Sequence, residues 1–128
     1  MWSGSNRFYT VNLENNEMIE NMKSISDWSS EVFPTLTKEA QLEKLIEEVV
    51  EFAKAGTDEE RMKELADIYI VASILKNRFN CGLGWTAFQG LYRTKLVDVY
   101  HKVDEKMKIN RKRKWEWNGK TYHHVEEK

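Results

Sequence analysis

The chain has one cysteine, one proline and no long run of apolar residues. The lone Cys81 cannot close an intramolecular disulfide, which excludes a disulfide-stapled scaffold and fits a reducing compartment. No stretch approaches the roughly 20 apolar residues of a membrane span. The segment Met1 to Thr10 also lacks the basic-then-apolar layout of a signal peptide. The expectation is a soluble, cytoplasmic protein with no membrane partner. Charge of one sign is missing too: 20 basic against 21 acidic residues leave a net −1, so no global field favours a nucleic-acid polymer. The concentrated basic run is Arg111-Lys112-Arg113-Lys114. Neither a glycine-rich phosphate loop nor a Ser-His-Asp pattern is present, which leaves P-loop and covalent hydrolase chemistry without support.

What is present is helical. At 128 residues the chain is most simply one domain with a modest core, and a single Pro34 with six glycines favours long helices. Residues 1–13 are expected to form an irregular arm. Met18, Ile19, Met22, Ile25 and Trp28 have helical spacing, predicting a helix from Glu14 to about Val32 that Pro34 ends. Thr37 stands at an N-cap position, and apolar residues from Leu42 to Ala53 predict a second helix ending near Gly56. Thr57-x-x-Glu60 reads as a capping box for a third helix running to about Phe79. That helix is apolar almost all round from Leu65 to Leu75, so it should lie at the centre and bury surface against a second copy of the chain. After a loop at 81–84, a long helix is predicted from Thr86 to Arg113. Lys114 to Val125 then alternates about Asn118-Gly119, the signature of a tight β-hairpin.

The second and third helices carry five acids: Glu47, Glu48 and Glu51, then, after twelve residues, Glu64 and Asp67. Residues three or four apart share a helix face, so antiparallel packing of the two helices would join the acidic ridges into one pocket of oxygens. Two bare carboxylates about 5 Å apart repel by roughly 3 kcal/mol at an effective dielectric of about 20. Five together need solvent, basic side chains or a hard divalent cation, and oxygen-only ligation suits Mg²⁺ or Mn²⁺. Asp67 is the most telling of the five because it interrupts an apolar stretch, where a carboxylate is costly without a partner.

These two motifs on successive helices resemble the all-α nucleoside triphosphate pyrophosphohydrolase superfamily, which includes MazG-like proteins. The resemblance covers roughly residues 37–113. Lys106, Asn110 and Arg113, at i, i+4 and i+7, are similar to the segment with which MazG-like proteins contact nucleotide. It implies an all-α, four-helix bundle over 14–113 with a hairpin and tail at 114–128, assembled as a homodimer or homotetramer. It also implies Mg²⁺ (or Mn²⁺) held by Glu48, Glu51, Glu64 and Asp67, with Glu47 holding a second ion or orienting the attacking water. Lys106, Asn110 and Arg113 would meet the phosphates or base of a nucleoside triphosphate. The implied reaction is hydrolysis to monophosphate and pyrophosphate, in nucleotide-pool house-cleaning. The chain lacks the second acidic domain of tandem MazG proteins, and the hairpin is not a core part of the superfamily.

Blander readings stand beside these. Glu47, Glu48 and Glu51 also fit a solvated helix face with partners such as Lys44, and Asp67 a buried acid satisfied by a lysine or a tyrosine hydroxyl. Arg111, Lys112 and Lys114 fit a charged helix end favoured by the macrodipole. Trp28 and Trp85 are expected in packing rather than stacked on a base, and His123 and His124, on opposite faces of a strand, at the surface. Two further functions remain open: phosphoribosyl-ATP pyrophosphohydrolase, and a non-catalytic helical module that binds nucleotide or protein.

Overall fold

The computed structural model describes residues 19–93 and 95–126. It is mainly helical, with five helices among the described residues: α1 (Met22–Val32), α2 (Lys38–Lys54), α3 (Asp58–Phe79), α4 (Leu83–Leu91) and α5 (Leu96–Lys112). Strands β1 (Lys114–Trp117) and β2 (Tyr122–Val125) form an antiparallel hairpin. The arm expected over 1–13, and the helical turn expected from Glu14 to Met18, lie outside the described residues. None of the described helices is long and apolar enough to cross a membrane.

Local chemistry sets most boundaries. Helix α1, the first among the described residues, starts at Met22 because Asn21 caps it: the Asn21 side chain accepts the Ser24 N–H at 2.8 Å and Ser24 Oγ accepts the Asn21 N–H at 2.8 Å. The preceding N–H groups of Ile19 and Glu20 donate instead to the Asp104 carboxylate, at 2.9 and 3.0 Å. Thr37 caps α2 through the Ala40 N–H, and Thr57 caps α3 through the Glu60 N–H. The capping box at Thr57 is only half formed. Glu60 reaches back to Gly56 N–H at 2.8 Å, one residue before the cap, and so closes the α2–α3 corner.

The long fourth helix expected over 86–113 is two helices. Tyr92 and Lys95 are extended between them, with ψ of 131° and 130°. An unbroken helix of that length would run about 42 Å, past the end of α3. The break lets both halves pack on one residue: the Tyr69 ring meets Phe88 on α4 and Tyr100 on α5 edge-on, each at 5.5 Å between centroids. The loop expected at 81–84 shortens accordingly, since Leu83 and Gly84 already belong to α4. Gly84 is required there: a Cβ would stand 2.8 Å from the Ala72 Cα of α3.

Helix α3 packs against α1, α2, α4 and α5 and is the central helix, as its apolarity predicts. Every residue from Leu65 to Leu75 except Asp67 is buried. The chain's own helices therefore cover the surface that was expected to need a second copy. Exposed apolar residues lie elsewhere, with Ile46 and Val50 on α2 at 63% and 42% exposure.

The hairpin turns where the sequence predicts. Asn118 Oδ1 accepts the N–H groups of Lys120 and Thr121, both at 2.9 Å, and Gly119 takes φ 93°, which favours glycine. It is docked rather than free. Tyr122 Oη accepts the Thr35 N–H at 3.1 Å and lies 2.6 Å from Thr35 Oγ1, while the Trp115 ring meets Phe33 edge-on at 5.1 Å.

Candidate metal centre and its cavity

The three-residue connection between α2 and α3 folds the second helix back along the first. This brings Glu48, Glu64 and Asp67 together, with one oxygen from each within 4.8 Å of the others. Their burial follows from helix phase. On α2 the buried positions run Ala40, Gln41, Leu45, Glu48, so Glu48 continues the core face, whereas Glu47 and Glu51 turn to solvent. On α3, Asp67 emerges from the buried stretch, its side chain 24% exposed, and Glu64 sits one turn earlier and half-buried.

Crowding and burial set the electrostatics of the trio. Burial pushes the Glu48 and Glu64 carboxyls above the ordinary carboxylate range; Lys44 offsets this at Glu48, and the pair is close enough to share a proton. Burial raises Asp67 as well, against the opposing pull of Lys106 and with a further push from Glu48. Three crowded, partly desolvated carboxyls, each with its pKa raised, form an oxygen donor set short of positive charge. That donor set fits a hard divalent cation.

Two lysines supply part of the missing charge. Lys106 Nζ, from α5, lies 3.0 Å from Asp67 Oδ2. Lys44 Nζ lies 3.3 Å from Glu48 Oε2 and 3.6 Å from Glu47 Oε1. Lysine pairing of Glu48 and of Asp67 is thus real, and it coexists with the cluster.

Glu48 and Asp67 open onto a cavity of about 470 Å³, which Glu64 does not line, within the range of small-molecule sites. Of the residues expected from the sequence, Glu47, Glu48, Asp67, Lys106, Asn110 and Arg113 line it together. Glu51 stands apart: exposed, it acts on Glu64 through charge and is not one of the three converging oxygens. Arg113 is the residue that ends α5, with its Nη1 donating to Asn110 Oδ1 at 3.4 Å. Arg111, by contrast, leaves the site and forms a two-pronged contact with Glu20 at 3.0 and 2.9 Å.

No protein-family model, curated protein or solved structure matches the chain. The site must be read from its own geometry.

The cavity also has walls that the sequence did not mark as part of a site. Trp28, though packed and only 6% exposed, also borders the cavity. His123, exposed as expected, and His124 both line it from the hairpin, and His124 is half-buried against Trp115 at 5.9 Å. Gln41 and Trp115 were overlooked altogether. Gln41 carried a signal, since it lies seven residues before Glu48 and therefore on the same helix face. Trp115 carried none that distinguishes a cavity wall from a hairpin ornament.

Proposed function

We propose that the chain is a divalent-cation-dependent nucleotide pyrophosphohydrolase, hydrolysing a (deoxy)nucleoside triphosphate to monophosphate and pyrophosphate. One observation carries the reading: Glu48, Glu64 and Asp67 converge beside a cavity that also holds Lys106, Asn110 and Arg113. An acidic donor set next to basic and amide side chains suits a polyanion that arrives with its metal. The resemblance of the same residues to MazG-like proteins points the same way.

Glu48, Glu64 and Asp67 would hold the ion, with Glu51 one turn from Glu48 to support them. Once bound, Mg²⁺ supplies the positive charge that offsets triphosphate repulsion and makes an attacking water easier to deprotonate. The chain's residues do the rest. Lys106 and Arg113 neutralise phosphate oxygens, including those of the departing pyrophosphate. Glu47 is cavity-lining and outside the three-oxygen cluster, so its carboxylate orients the water and takes its proton. Water adds at the α-phosphorus, the bond to the bridging oxygen breaks, and pyrophosphate leaves.

Homo-oligomeric assembly belongs to the same reading, with Ile46 and Val50 of α2 as apolar positions open to a second copy. So does a house-cleaning role in the cytoplasm. A non-catalytic nucleotide-binding module is the second reading. The Lys106–Asp67 pair favours it, because it neutralises one acid without any metal.

Incubation with each common NTP and dNTP, with Mg²⁺ or with EDTA, followed by chromatography of the products, tests the proposal. Monophosphate plus pyrophosphate, abolished by EDTA, is the expected result. Diphosphate plus orthophosphate would overturn it by showing cleavage at the other bond.

A further inference from the structure

The cavity has two halves of different chemistry. Its charged half is made by α2, α3 and α5 around Glu48, Asp67 and Lys106. Its other half is aromatic, and the hairpin builds much of it: Trp115 on β1 with Tyr122 and His124 on β2, beside Trp28 of α1.

The hairpin residues are held in place from both sides. Trp115 donates its indole N–H to the Asn110 carbonyl at 3.1 Å, which ties the ring to the turn of α5 that carries Asn110 and Arg113. It makes edge-to-face contacts with Phe33 at 5.1 Å, His124 at 5.9 Å and Trp28 at 6.2 Å between centroids, and the Arg113 guanidinium lies over its ring, 6.0 Å from the centroid. His124 is its cross-strand partner. Tyr122 fixes β2 to Thr35, as described above, and packs on Phe33 at 4.6 Å. The Trp115 side chain is nevertheless only half-buried. A large ring whose single polar atom is already satisfied, oriented by its neighbours and bordering a cavity, is preorganised for contact with another flat ring.

We propose that the C-terminal hairpin is the base-selecting wall of the pocket, with Trp115 as the residue that touches the base. The inference rests on the nucleotide reading and adds to it the part of the chain that reads the ligand's identity. The charged half takes the phosphates, common to every nucleotide. The planar, weakly polar base goes to the aromatic half, and among the residues lining the cavity Gln41, Asn110 and His124 carry hydrogen-bonding groups that can distinguish one base edge from another. A pocket without the hairpin would keep the phosphate half and lose discrimination.

The test compares binding of ligands with and without a base, in Mg²⁺, by calorimetry on the full chain. Nucleoside monophosphates of the common bases are set against ribose 5-phosphate, for the wild type and for Trp115→Leu. The wild type should bind at least one monophosphate more tightly than ribose 5-phosphate. Trp115→Leu should weaken that monophosphate roughly 5- to 150-fold, the loss of one base–aromatic contact, and leave ribose 5-phosphate unchanged. A variant that keeps the full preference for the monophosphate overturns the inference while the nucleotide reading stands. A wild type that binds no monophosphate overturns both.

If Trp115→Leu does not fold, the wild-type protein decides the matter by NMR, with the indole N–H signals assigned through single Trp→Phe variants. The Trp115 indole signal should move on adding monophosphate and stay still with ribose 5-phosphate. An unmoved signal at saturating monophosphate overturns the proposal.

Discussion

Lys106 Nζ lies 3.0 Å from Asp67 Oδ2, joining the one acid inside the apolar stretch of α3 to α5. The two side chains are 28% and 24% exposed, so the pair is neither a solvated surface bridge nor a fully desolvated one. It gives Asp67 the partner that its surroundings demand. It also keeps a positive charge at the edge of the acid cluster.

A double-mutant cycle on Lys106→Met and Asp67→Asn should return a coupling of about 1–2 kcal/mol in denaturant unfolding, between the values typical of exposed and buried pairs. Lys106→Met should also raise KM more than it lowers kcat, if the lysine meets substrate phosphate in both ground and transition states.

The acid cluster's contribution to the pH dependence of the metal-free chain has a definite sign. Burial raises Glu48, Glu64 and Asp67, so near and above the ordinary carboxylate pKa of about 4 the folded chain holds protons that the unfolded chain has released. Their contribution to stability therefore falls as pH rises through the raised values. Glu48→Gln removes one such group. Its metal-free Tm, measured against wild type, should gain progressively as pH rises from about 4, and a constant difference would contradict the cluster electrostatics.

Mg²⁺ should reverse that order. Wild-type Tm should increase with Mg²⁺ at neutral pH, and the increment should shrink as pH falls and the acids protonate. In Glu64→Gln the increment should be largely lost, with turnover down by on the order of 100-fold or more and the far-UV CD spectrum unchanged. Full turnover in that variant would remove Glu64 from the site.

The hairpin's attachment can be weighed separately from its chemistry. Tyr122→Phe deletes the hydroxyl that meets Thr35 and leaves the ring on Phe33. A loss of about 0.5–1.5 kcal/mol is expected in denaturant unfolding.

Gly84→Ala places a Cβ 2.8 Å from the Ala72 Cα, and backbone cannot yield as a side-chain tip can. The α3–α4 contact must open, at a cost of roughly 1–3 kcal/mol in unfolding free energy.

The sequence by itself determined the helices that have local signals. Thr37 and Thr57 cap α2 and α3 where they were expected, Asn118-Gly119 turns the hairpin, and the apolar girdle of α3 makes it the central helix. The pairing of Glu48 with Glu64 and Asp67 was legible too, because helical periodicity fixes which residues share a face and a three-residue connection leaves the helices little choice of neighbour. What tertiary structure alone decided has no local code. Glu48 is buried while Glu47 and Glu51 are not, because the face of α2 carrying Ala40, Gln41 and Leu45 is the one turned to the core. The chain breaks between Tyr92 and Lys95 although no proline stands there, because Phe88 and Tyr100 must both reach Tyr69. Trp115 borders the acid cavity because Thr35 and Asn110, far apart in the chain, hold the hairpin against it. Contacts between segments distant in sequence fix these features, and such contacts leave no periodicity to read.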